Sequence, residues 1–117
     1  MNEAIFKSRS IGTHLVPNTD TVIYTCPNNY TAHVVLLMVA NLSGGNKTVS
    51  AKWYNNNKND IFTIIGGYVI SSFNYLKLDG SYLAMNAGDY LILNSEVGSI
   101  MDSTVTVEEY YDPTSRQ

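Results

Sequence analysis

No stretch of this chain spaces its apolar residues at the three-to-four-residue interval of a helix. Short runs rich in Val, Ile, Tyr and Thr alternate instead with clusters of Gly, Asn, Asp, Ser and Pro. A helix must bury an apolar stripe and this chain offers none, whereas β-branched and aromatic residues suit the half-buried pleat of a strand. The pattern predicts an all-β, antiparallel two-sheet β-sandwich, jelly-roll or Ig-like, of about eight or nine short strands. The Ig label is the weaker, because the Cys, Trp, Cys spacing is missing.

Residues 21–26 form the first clear strand, with Val22, Tyr24 and Cys26 on one face, and Pro27-Asn28-Asn29 ends it. The apolar run 34–40 does not alternate, which predicts a central strand covered on both faces. Ser43-Gly44-Gly45-Asn46 predicts a hairpin, since glycine and asparagine tolerate positive φ. Its second arm sends Val49, Ala51 and Trp53 inward and Ser50, Lys52 and Tyr54 outward. A strand over 61–65 is expected to break at Gly66-Gly67 and another to follow over 68–75; Asp79-Gly80 predicts a further hairpin and Asn86-Ala87-Gly88-Asp89 a turn. Strands over 90–94 and 104–110 complete the series. The expected organisation is an N-terminal arm or edge strand at 1–17, the sandwich at 18–111, and a flexible C-terminal tail at 112–117.

With 117 residues the chain has room for one core. Charged residues make up only 15%, against about 25% in a typical domain, so Asn, Ser and Thr must solvate the surface. Seven scattered Lys and Arg and a net charge of −3 leave no footprint for nucleic acid. No apolar run is long enough for a transmembrane helix, and residues 1–10 lack the apolar core of a secretory signal. The one cysteine can form no intrachain disulfide, which fits synthesis in a reducing cytoplasm.

Residues able to do chemistry are few. Cys26 with His14 or His33 and Asp20 could supply the parts of a triad, but Cys26 alternates in step with Val22 and Tyr24, as a buried cysteine does. Two His and one Cys are too few for zinc. Asp79 and Asp89 sit in turns, where Asp supports the turn itself, and Glu108 shares a solvated face with Thr104 and Thr106. No catalytic residue, cofactor or metal is therefore assigned, and the chain is expected not to be an enzyme.

The most conspicuous polar stretch follows the single tryptophan. Asn55, Asn56, Asn57, Lys58, Asn59 and Asp60 form a candidate contact loop at a hairpin tip; Asn55, Asn57, Asn59 and Asp60 could offer oxygens to calcium, but Lys58 among them and a lone carboxylate count against it. Tyr54, Tyr68, Tyr75, Tyr82, Tyr90, Tyr110 and Tyr111 could line a sugar-binding face or an ordinary protein interface.

The segment Thr21-Val22-Ile23-Tyr24-Thr25-Cys26-Pro27, the apolar strand ending in Ala40-Asn41, and Ala87-Gly88-Asp89-Tyr90-Leu91-Ile92 together resemble small β-sandwich virion proteins of tailed bacteriophages, the head-decoration, neck and tail-associated type. The likeness runs over about residues 13–111. It implies a non-enzymatic structural component of the virion, made in the host cytoplasm, homo-oligomeric, and partnered with capsid, neck or tail subunits. The alternative is a carbohydrate-binding β-sandwich module that attaches to a host glycan.

Overall fold

A computed structural model describes residues 6–113; residues 1–5 of the expected arm and 114–117 of the expected tail lie outside the described residues. Within them eight strands form: β1 (Phe6–His14), β2 (Thr21–Thr25), β3 (Tyr30–Asn41), β4 (Lys47–Asn55), β5 (Asp60–Ile70), β6 (Tyr75–Met85), β7 (Tyr90–Ser95) and β8 (Met101–Tyr111). They build two four-stranded antiparallel sheets, ordered β1-β8-β3-β6 and β2-β7-β4-β5. Every connection except β4 to β5 changes sheet. The all-β, two-sheet sandwich is thus as the sequence predicts, and of the two arrangements it is the jelly roll.

This topology corrects several local expectations. Ser43-Gly44-Gly45-Asn46 carries the chain from one sheet to the other instead of closing a hairpin. Asp79-Gly80 lies inside β6, where one residue of β3, Val35, between the pairs Val34–Leu83 and Leu36–Asp79, is set against three of β6; Gly80, at φ 82°, takes the bend. Gly66-Gly67 likewise bends one continuous β5 without ending it, with Gly67 at φ 64°. In each case glycine and asparagine serve a backbone bend that a turn and a bulge share, so residue type alone does not separate them.

The core lies between the sheets. Strand β8 presents Met101, Ser103, Val105, Val107 and Glu109 inward in strict alternation. Strand β3 is central, flanked by β8 and β6, as expected. Its missing alternation has a further cause: a bulge at Val35 shifts the phase, so Ala32 and Val34 face in before it and Leu37, Val39 and Asn41 after it. Val34, Leu37, Val39, Val105 and Val107 are completely buried, each contributing roughly 1.5–3 kcal/mol through apolar area removed from water. Val49 and Ala51 point inward as predicted, while Trp53 is half-buried at the margin.

Candidate functional site

The strand directions sort the loops onto two ends of the sandwich. Residues 15–20, 42–46, 71–74 and 96–100 meet at one end; residues 26–29, 56–59 and 86–89 meet at the other. One buried polar side chain organises each end.

At the first end this residue is Asn41. Its Nδ2 donates to the carbonyls of Gly45 (3.0 Å) and Ile70 (2.9 Å), and its Oδ1 accepts from the backbone N–H of Ser43 at 2.9 Å. The amide thereby ties the 42–46 loop to the end of β5. Ser43 extends the network, its Oγ accepting from Ile100 N at 2.8 Å and its carbonyl accepting from Ser72 Oγ at 2.7 Å. Glu96 accepts from Thr48 N at 2.9 Å. Three loops are thus held in one array, and the fourth, 15–20, is tied to it by Asn18 N donating to the Ser95 carbonyl at 2.8 Å and Leu15 N to the Met101 carbonyl at 2.9 Å.

What this array displays is apolar. Val16 (54% exposed), Leu42 (44%), Phe73 (75%), Val97 (65%) and Ile100 (61%) all stand in these four loops. Phe73 also has a left-handed backbone, at φ 59°, a conformation that costs a bulky residue of order 1–3 kcal/mol. Its backbone serves the 71–74 turn, closed by Asn74 N on the Ser71 carbonyl at 3.0 Å, but its side chain, three-quarters in water, buries little in the isolated fold.

The other end is polar and centres on Asp89. Its carboxylate accepts from Asn56 N (2.9 Å), Asn86 N (3.0 Å) and the indole Nε1 of Trp53 (3.2 Å), and it is 1% exposed. The loop of residues 55–60 is a hairpin tip closed by the pair Asn55 and Asp60. Most of its side-chain oxygens are engaged locally: Asn55 Oδ1 accepts from Lys58 N at 3.2 Å, Asn59 Oδ1 from the Tyr54 hydroxyl at 2.6 Å, and Asp60 Oδ1 from Ile61 N at 2.8 Å. Asn59 adopts φ 51°, the left-handed backbone that asparagine tolerates. Asn57 and Lys58 project into solvent.

The groups considered for catalysis are separated. Cys26 is buried with its Sγ 3.4 Å from the Tyr30 carbonyl; His33 packs beside Tyr110; Asp20 accepts from Asn94 Nδ2 at 2.8 Å. His14 bonds Asp102 at 2.6 Å, which raises its pKa, beside a recess of about 300 Å3 whose serine, Ser103, turns its hydroxyl toward the Thr13 carbonyl. Burial, helped by the charges of Asp89 and Glu109, pushes the Cys26 thiol up to about 12. Native protein at pH 8 is therefore expected to resist thiol alkylation, with labelling appearing only in denaturant; fast labelling of folded protein would contradict this burial.

Among the described residues the candidate tyrosines do not gather on one face. Tyr54 and Tyr90 stack on each other at 4.6 Å on the outer face of the β2-β7-β4-β5 sheet, while Tyr30 meets Tyr111 edge-on and Tyr110 bonds Glu108 on the opposite sheet. Tyr82 has a side chain outside the described part.

Sequence reasoning passed over Glu109. It is 1% exposed, receives two bonds from Arg9 (Nε 3.1 Å, Nη2 3.0 Å) and one from the Tyr24 hydroxyl (2.5 Å). Arg9 lies on β1 and Tyr24 on β2, so one carboxylate joins the edge strand and both sheets. Burial opposes its charge, but the bonds from Arg9 and Tyr24 and the charges of Arg9 and Lys7 outweigh that and hold its pKa below the usual carboxylate value. The signal was available in the inward phase of Val105 and Val107, four and two residues earlier.

No protein-family profile and no curated protein matches the chain. Solved structures do. A structure described under Bacillus endospore appendages that form a family of disulfide-linked pili is similar over 95% of this chain and 92% of that one, with TM-score 0.58 and 9% identity. A structure of the Gt strain of infectious bursal disease virus is similar over 95% of this chain, which spans 34% of that longer chain, with TM-score 0.56 and 7% identity. The likeness is one of fold.

Proposed function

We propose that this protein is a non-enzymatic structural subunit that works through protein–protein contacts in a larger particle. The motifs shared with tailed-phage virion proteins point to such a virion, with the subunit at the capsid surface, neck or tail. The observation that carries the reading is the apolar loop end: five exposed large side chains on a hydrogen-bonded platform, one of them strained, are disfavoured in a lone monomer and suited to a surface that a neighbour covers. The separation of Cys26, the histidines and Asp20 supports a role without catalysis. The fold shared with a pilus structure and a virus structure is compatible with assembly work. Any contacts here differ from the disulfide-linked kind, because the one cysteine is buried.

Phe73→Gly tests the reading. Glycine accepts φ 59° without strain, so folding stability is expected to hold or to rise by about 1 kcal/mol, while the amount of protein retained on purified particles falls several-fold. Unchanged retention, or a protein present in infected-cell lysate but missing from purified virions, would overturn it.

A further inference from the structure

The four sheet edges are unequally guarded. Strand β1 carries Lys7 and Arg9, β2 has only five residues, and β6 carries Lys77 and Asp79. Strand β5 runs for 11 residues, and from Ile61 to Ile70 it holds no charge and no proline. An edge of this kind presents unpaired N–H and C=O groups to any strand that approaches.

Its side chains are also uncovered. Ile61 (46% exposed), Phe62 (39%), Tyr68 (47%) and Val69 (56%) all lie on β5. Pairing with β4 fixes their faces: Phe62 is opposite Trp53 and Tyr68 opposite Val49, on the inner face, while Ile61 is opposite Tyr54 and Val69 opposite Thr48, on the outer face. A neighbouring sheet or loop packed on one face could shield only half of them. A strand added at the edge shields all four.

The spacing of these residues is symmetric. Two register shifts flank Ile65, so the extra residues fall at Ile64 on one side and at Gly66-Gly67 on the other. Phe62 and Tyr68 consequently lie on the same face at equal distances from Ile65, as do Ile61 and Val69 on the other face. We propose that β5 is the contact through which a second copy of this chain docks, antiparallel, about a two-fold axis at Ile65. In that register Phe62 of one copy faces Tyr68 of the other, Ile61 faces Val69, and each pair occurs twice. Both bulges coincide and no like charges meet. A second copy is the occupant that this internal symmetry favours, since an unrelated strand has no need of it. The inference rests on the reading of the protein as an assembly subunit, and it names a surface distinct from the apolar loop end.

The test is sedimentation equilibrium of the purified full chain and three variants. Ile61→Glu and Val69→Lys each place a charge on an outward, half-exposed position, so both are expected to fold, as circular dichroism and melting temperature will report. Each alone is expected to weaken self-association by about tenfold, because the two-fold axis doubles every cross-strand effect. The double variant is expected to recover most of that loss, since each introduced carboxylate then faces an introduced ammonium of the other copy. Self-association indifferent to both single variants would overturn the β5 contact while leaving an assembly role standing. Singles that weaken association without recovery in the double variant overturn the two-fold register and point to another strand on this edge. A wild-type chain monomeric at every concentration overturns the proposal as well. If the pair behaves as expected and Phe73→Gly still leaves particle retention unchanged, the failure belongs to the particle reading and not to this contact.

Discussion

Asp89→Ala is expected to lose about 4 kcal/mol of folding stability, among the largest losses for any single polar substitution in this chain. The carboxylate is buried and receives three donors from two segments: Asn86 N of its own turn, and Asn56 N and the Trp53 indole of the β4–β5 hairpin. Removing it leaves two backbone N–H groups and one ring N–H without a partner in a place water barely reaches, and an unsatisfied buried donor costs about 1–3 kcal/mol. Chemical denaturation of the variant measures the total. Amide hydrogen exchange locates it, with faster exchange expected at Asn56 and Asn86 and little change at Ser43 or Ile100, which belong to the other end. A uniform acceleration across both ends would mean that Asp89 supports the whole fold and not one loop cluster.

Glu109→Gln is the second. The amide keeps the shape of the carboxylate but not its charge, so Arg9 loses a bidentate ionic partner and the tie between β1, β2 and β8 weakens. Breaking a fully buried pair costs about 3–5 kcal/mol. Arg9 is 47% exposed, so the expected loss at pH 7 is nearer about 2 kcal/mol. The pH dependence has a definite sign. The folded-state pKa of Glu109 is lowered from 4.5, so its contribution is fully present above that value and disappears as pH falls through the folded pKa. Wild-type stability is therefore expected to decline on acidification below about pH 4.5 more steeply than that of the variant. Parallel acid profiles would show that the ionised carboxylate is not what holds the edge strand. Hydrogen exchange along β1 should report the same weakening first, because an edge strand opens before a central one.

The sequence made the sandwich legible because burial alternates with the strand period, and that alternation is written in residue type at Val49, Ala51, Val105 and Val107. It failed where geometry departs from the period. At Val35 the chain adds one residue to a strand, and from there on a residue-by-residue pattern reports the wrong face. At Asp79-Gly80 and Gly66-Gly67, glycine marks a change of direction without saying whether the strand ends. The buried acids were hidden for another reason: Asp89 looks like a turn residue and is one, yet its carboxylate also anchors the β4–β5 hairpin through Trp53 and Asn56, a long-range fact that no local pattern contains. The same holds for the apolar loop end. Val16, Leu42, Phe73, Val97 and Ile100 are isolated in sequence, and only the alternation of strands between sheets brings them together.

The pairing of β1 with β8 sets Phe6 opposite Tyr110. Both limits of the described fold therefore lie at the polar end, the pole opposite Phe73. A peptide or reporter grafted beside Phe6 or Tyr111 would ride on the hydrophilic pole and leave the greasy pole open, so cargo can be displayed there without touching the loop end expected to hold the subunit in place.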